Sequence, residues 1–176
     1  MKTLTDVYTL SNGVAIPWVG FGTWQALTDL YKEGKIRAIG VSNFKPHHLK
    51  ALLEAEVKPM VNQIELHPGM TQQDTVDLCR EHGILLEAWS PLGCGSLLDH
   101  PFLAELAAKY GKSVAQVCIR WCLQKGFLPL PKSVTPSRIL DNTKVFDFVL
   151  SDEDMAAMDT MENVGWSGLD PDEVDF

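Results

Sequence analysis

Apolar residues in this chain come in short runs punctuated by Gly and Pro, and the runs alternate between strand-like and helix-like periods. Val7 to Leu10 and Val14 to Pro17 flank Ser11-Asn12-Gly13, a tight-turn sequence in which Asn and Gly tolerate positive φ, so a hairpin is predicted. Trp18 to Gly22 reads as a further strand. Four more follow: Ala38-Ile39-Gly40-Val41, Val61 to Leu66, Leu85 to Trp89 and Phe127 to Pro131. Helices lie between and after them. Pro46 opens one with an apolar stripe of Leu49, Leu52 and Leu53, ended by Lys58-Pro59. Thr71 with Asp74 predicts a capping box for a second, closing at Gly83. Pro101 to Tyr110 forms a third, broken at Gly111. The fourth starts at Ser113, with Gln116 placed for a capping box and Val114, Val117, Cys118 and Trp121 on one face. Thr135-Pro136 opens a fifth running to about Lys144, and Ser151 caps a last one over Asp152 to Met161.

Successive strand–helix units imply parallel strands with right-handed crossovers, either a barrel or an open doubly wound sheet. In both, ligands gather at the carboxyl ends of the strands, which here read Ser42-Asn43, His67, Trp89-Ser90 and Lys132-Ser133. With 176 residues and no repeat or linker, the chain predicts one domain. The formal charge of −8 weighs against nucleic acid or an anionic membrane as partner and favours a small molecule. No apolar run approaches the ~18 residues of a membrane span, and Met1 to Leu10 lacks a signal-peptide core, so a cytoplasmic protein is expected. Cys79, Cys94, Cys118 and Cys122 are too few and too irregular for a disulfide framework and are expected reduced.

The sharpest local chemistry is Leu130-Pro131-Lys132-Ser133-Val134-Thr135-Pro136-Ser137-Arg138. A Lys and a hydroxyl leave a strand end, a helix N-terminus follows, and an Arg sits in its first turn, which together suit a phosphate. Trp89 before Ser90-Pro91-Leu92-Gly93 offers either a flat ring to stack on a heterocycle or an ordinary core side chain. Alternation puts Gln63 and Glu65 on one face, where partners or a ligand must satisfy them. Cys79 with His82 and Cys118 with Cys122 have helical spacing but no nearby third ligand, so packing is the expectation and no metal site is predicted. There is neither a Gly-rich phosphate loop nor a nucleophile elbow, which weighs against Rossmann binding and serine hydrolysis.

Gly40-Val41-Ser42-Asn43-Phe44, Val61-Asn62-Gln63-Ile64-Glu65-Leu66-His67-Pro68 and Leu130-Pro131-Lys132-Ser133, with Arg138 and Asn142, closely resemble the aldo-keto reductases, in particular the bacterial branch related to diketogluconate reductases. Asn12-Gly13 through Gly20-Phe21-Gly22-Thr23-Trp24 resembles that family's opening hairpin and first barrel strand. The resemblance resumes at about Ala26 and runs to Phe176. It implies an incomplete (β/α)8 TIM barrel: residues 1–25 as hairpin and first strand, and 26–176 as strands five to eight. It also implies NADP(H) as cofactor. Ser42, Asn43 and Gln63 would hold the nicotinamide carboxamide, Trp89 would stack on its ring, and Ser90, Leu92 and Gly93 would follow the pyrophosphate. Lys132, Ser133, Val134 and Arg138 would take the 2′-phosphate, and Asn142 the adenine.

The family's Asp, Tyr, Lys and His tetrad belongs to segments between the first and fifth strands, and here Thr23-Trp24-Gln25 runs directly into Ala26-Leu27-Thr28-Asp29-Leu30-Tyr31. Tyr8, Tyr31 and Tyr110 sit in none of the tetrad's motifs, so no catalytic residue is assigned. Two readings follow: an NADPH-dependent reductase of small carbonyl compounds, impaired in this chain, or a non-catalytic NADP-binding or interaction module. Strands left without neighbours would expose sheet edges, so self-association or marginal stability is expected.

Overall fold

The computed structural model describes residues 7–9, 15–17 and 23–173, with side chains described from Ala26 onward. It divides into two compact units, Met1–Ile39 and Gly40–Phe176.

In the first unit, β1 (Val7–Thr9) pairs antiparallel with β2 (Ala15–Pro17), with Tyr8 opposite Ile16. This is the hairpin the alternating pattern predicts; its turn, and the strand expected at Trp18 to Gly22, lie outside the described residues. The unit continues into α1 (Thr23–Lys32), so Thr23 to Gln25, expected to close the first barrel strand, are the first turn of a helix instead. Leu27, Leu30 and Tyr31 fall at helical spacing, and Lys32 in the last turn suits the negative end of the dipole.

The second unit alternates strand and helix throughout. β3 (Gly40–Ser42), α2 (Pro46–Leu53), β4 (Val61–Glu65), α3 (Gln73–Glu81) and β5 (Leu85–Trp89) come first. A 3-10 turn (Gly93–Asp99), α4 (Pro101–Tyr110), α5 (Val114–Gln124), β6 (Leu128–Leu130), α6 (Pro136–Asn142) and α7 (Asp152–Thr160) complete it. The four strands form a parallel sheet in the order β3-β4-β5-β6, with Ser42 beside Gln63, Gln63 beside Glu87, and Trp89 beside both Glu65 and Leu130.

Alternation along β4 and β5 divides the sheet into two unlike faces. Asn62, Ile64, Leu86 and Ala88 are buried and join the helices in one core with Leu49, Val76, Cys79, Leu103, Val117 and Trp121. On the other face Leu85, Leu128 and Leu130 are exposed, and Gln63 and Glu87 are half-buried. Helices thus pack on one side of the sheet, as in a barrel wall, whereas a doubly wound sheet carries them on both. No helix among the described residues is long and apolar enough to cross a membrane.

The Ser113–Gln116 capping box forms as its sequence predicts: Ser113 Oγ accepts from Gln116 N at 3.2 Å and Gln116 Oε1 accepts from Ser113 N at 2.9 Å. Ser151 Oγ likewise accepts from Asp154 N. The box expected at Thr71 and Asp74 does not form. Gln72 takes a left-handed conformation (φ 41°) as N-cap and turns its side chain back to donate to Glu65 O at 2.6 Å, so the helix starts at Gln73. A tertiary hydrogen bond to the end of β4 has displaced the local capping preference.

Candidate functional site

Two cavities open at the carboxyl ends of the strands, and the β5 terminus serves both. The larger, of about 710 Å³, is lined by Ser90, Pro91, Leu92, Cys94, Leu130, Pro131, Lys132, Ser133, Arg138 and Asn142, with Ser113, Val114 and Ala115 on its far wall. Its size falls within the ~300–1,000 Å³ range of small-molecule sites. The smaller, of about 100 Å³, is lined by Asn43 and Trp89 together with Lys45, Glu65, Met70, Gln72, Trp166, Leu169, Asp170 and Pro171.

The structure distributes the residues singled out in the sequence as follows. Ser90, Leu92, Lys132, Ser133, Arg138 and Asn142 come together around the larger cavity. Gly93 is buried beside them, and Val134 is largely exposed and outside the lining. Asn43 and Trp89 face the smaller cavity, where Trp89 Nε1 donates to Asn43 Oδ1 at 2.7 Å and fixes the indole plane. Ser42 and Gln63 line neither cavity. They lie side by side on the open sheet face, where Ser42 Oγ donates to Gln63 O at 3.2 Å and Gln63 Nε2 donates to Glu87 Oε2 at 2.8 Å.

Backbone geometry at these strand ends could not be read from sequence. Asn43 (φ 57°) follows β3 and Ser90 (φ 50°) follows β5, both left-handed. Asn adopts this region readily, whereas for Ser it costs more and marks a turn set by its surroundings. Ser90 Oγ accepts from Cys94 N at 2.6 Å, tying the first residue of the loop to the 3-10 turn. The far wall of Ser113 to Ala115 also escaped sequence reading, because nothing in their chemistry distinguishes them from any helix start.

The electrostatics of the larger cavity are one-sided. Among the described residues Lys132 and Arg138 make no ion pair, while the one carboxylate in the lining, Asp141, is held by Lys144 at 2.9 Å. Two uncommitted cations face a shared hollow in a chain of net charge −8. That arrangement attracts a compact polyanion. Helix α6, only seven residues long, adds little dipole of its own, so the side chains carry the anion chemistry.

Glu65, buried at the end of β4, accepts from Ser167 N at 3.0 Å and Ser167 Oγ at 2.7 Å. His67 is wholly buried; its Nδ1 bonds Pro68 O at 2.9 Å, and its backbone closes a turn with Met70. Tyr110 is committed elsewhere, donating to Asp154 and accepting from Ser151 N. Burial pushes the Cys79 and Cys122 thiols up and Cys118 up to about 12, in keeping with a packing role, while Cys94 alone of the four is exposed.

Comparison with known proteins decides the ancestry of this arrangement. Residues 16–163 match the model of the Aldo/keto reductase family. The chain belongs to that family. It is 55% identical over 155 residues to a glyoxal reductase of Bacillus subtilis, covering 88% of this chain and 56% of the relative. The methylglyoxal reductase DkgA of Escherichia coli is 44% identical over 153 residues, covering 85% and 56%. Thus the chain spans just over half the length of the curated relatives it matches. Among solved structures, Gox0644 superposes with a TM-score of 0.83 at 44% identity, covering 88% of this chain and 58% of that one, and a Gox0644 variant has been solved with NADPH. A silkworm aldo-keto reductase in complex with NADPH superposes with a TM-score of 0.74 at 39% identity, covering 80% and 47%.

Proposed function

We propose that this chain binds NADP(H) across the two cavities and, taken alone, is an impaired or inactive carbonyl reductase. The observation that carries the binding half is the pair of cations, Lys132 and Arg138, without an ion-pair partner among the described residues, in a cavity of ligand size. They suit the 2′-phosphate, with Ser133 and Val134 beside them and Asn142 positioned for the adenine. Ser90, Leu92 and Gly93 suit the pyrophosphate, and Trp89 the nicotinamide ring. Two amides, Asn43 against Trp89 and Gln63 on the neighbouring sheet face, are half-used in a complementary way among the described residues. Asn43 accepts through Oδ1 and keeps its amide nitrogen free to donate, while Gln63 donates through Nε2 and keeps its carbonyl oxygen free to accept. With the Ser42 hydroxyl, these match the acceptor and donor of a carboxamide.

The catalytic half rests on what the ring end offers a carbonyl oxygen. Bound there, NADPH supplies a hydride; a proton donor and oxyanion stabiliser must come from the protein, and general acid catalysis alone is worth ~10²–10⁴. Tyr110 is engaged in structural bonds, His67 is wholly buried and lines neither cavity, and no described tyrosine lines either cavity. The competing reading is a non-catalytic NADP-binding or interaction module. The open sheet face with Leu85, Leu128 and Leu130 favours a chain that also pairs with further polypeptide or with itself. Aldehyde-dependent NADPH oxidation by the purified chain, compared with NADPH fluorescence on titration, separates the readings. Binding with turnover at least a thousandfold below a full-length family member is expected; turnover at the rate of a full-length enzyme refutes the impairment.

A further inference from the structure

Residues 163–173 reach the carboxyl ends of the strands with no helix or strand of their own, and close in a turn in which Glu173 N donates to Asp170 O. Their attachment is polar. Ser167 bonds the buried Glu65 carboxylate twice, and Asp170 and Asp172 both reach the single ammonium of Lys45, Asp172 Oδ2 at 2.7 Å. Asp172 Oδ1 also meets His47 Nε2 at 3.0 Å and His48 Nε2 at 3.2 Å. These three groups could be taken for a metal site, but His48 Nδ1 accepts the Lys45 backbone N–H at 3.2 Å, so its Nε2 carries the proton and donates to Asp172. The cluster closes on itself as a clamp.

Burial holds the segment only weakly: Val164 is 41% exposed, Trp166 51% and Leu169 59%. Close packing is confined to Gly165, where an added Cβ would lie 2.7 Å from His67 Cε1 and 2.9 Å from Gly93 Cα. Yet Trp166, Leu169, Asp170 and Pro171 roof the cavity whose floor is Trp89 and Asn43 and leave about 100 Å³, well under the ~300 Å³ at the lower end of ligand sites.

We propose that residues 163–173 are a strap, latched by the Lys45 ammonium, that covers the ring end of the site, so that a planar heterocycle stacks on Trp89 only when the strap lifts. This rests on the cofactor reading above. The Lys45 pKa is raised, first by its hydrogen bond to Asp170 and then by Asp172, while Lys45 holds both carboxyls below their ordinary value, in keeping with a clamp that stays ionised at neutral pH.

Removing the clamp removes the opening penalty from binding, so affinity should rise by the factor that opening rises. The test uses the full chain in three forms, wild type, Lys45→Met and the double change Asp170→Asn with Asp172→Asn, with Lys45→Arg as the charge-preserving control. Hydrogen exchange of the 163–173 amides and the NADPH dissociation constant are read on each. Both disrupting variants should exchange about three- to thirtyfold faster in the strap, as expected for a small network of partly exposed ion pairs, and bind NADPH tighter by a similar factor. Lys45→Arg should stay within twofold of wild type. Unchanged exchange in both disrupting variants overturns the latch. Faster exchange with unchanged or weaker NADPH binding overturns the shutter. Absence of NADPH binding in every form overturns the cofactor reading, and the shutter with it.

Discussion

Replacing Arg138 by Ala isolates the phosphate end of the site. Arg138 is exposed on α6, faces the larger cavity with Lys132, and has no carboxylate partner among the described residues. Its removal therefore breaks no ion pair in the free protein, and the whole effect should appear in binding. A charge-assisted hydrogen bond to phosphate contributes about 1.5–3 kcal/mol, and solvent screening at an exposed position reduces this to about 1–2 kcal/mol. NADPH should bind roughly five- to thirtyfold more weakly, while NADH, which lacks the 2′-phosphate, should change by less than about twofold. Titration by cofactor fluorescence at constant ionic strength gives both constants, and raising the salt should weaken NADPH binding to wild type more than to the variant. Equal losses for the two cofactors would falsify the assignment of this cavity to the phosphate.

Three further outcomes follow from the packing. Gln116→Ala removes the reciprocal cap at Ser113 and the two bonds from Nε2 to Asp141 O and Lys144 O, so urea unfolding should show a loss of about 2–3 kcal/mol, and a loss under about 0.5 kcal/mol would contradict the linkage between α5 and α6. Lys109, and then Tyr110, hold the Asp154 carboxyl below its ordinary value. The stability this contributes is fully present above the unfolded value near 3.8 and is lost as pH falls through the lower folded value. Asp154→Asn should therefore flatten the fall in melting temperature below about pH 4 and leave none of that protection at neutral pH; an unchanged acid limb would count against it. In native protein a thiol reagent should label Cys94 first, with Cys79, Cys118 and Cys122 protected, and bound NADPH should slow that labelling because Cys94 lines the larger cavity; rapid labelling of Cys118 would refute the packing.

Period and punctuation were enough to find β4, β5 and the helices with strong local signals, because those segments bury one face and their caps are satisfied within four residues, as at Ser113 and Ser151. Tertiary demands hid the rest. Gln72 takes the cap position expected of Thr71 and sends its side chain to Glu65, and Asn43, Ser90 and Cys94 enter the left-handed region where nothing local requires it. Helix α1 begins at Thr23 with no acidic residue in its first turn, so no local signal marks where it starts. The strap was invisible for a simpler reason: residues 163–173 have no period at all, and their role comes from partners about a hundred residues away, Glu65 and Lys45. At the site, the sequence supplied the chemistry of Lys132, Arg138 and Trp89, while the division into two cavities with an open polar face beside them is a property of the fold.

Calorimetric titration of the full chain with NADPH, repeated with NADH, tests the central claim most directly. Saturable binding of one NADPH per chain, at least fivefold tighter than NADH, is the predicted result. No binding, or the same affinity for both cofactors, would contradict it.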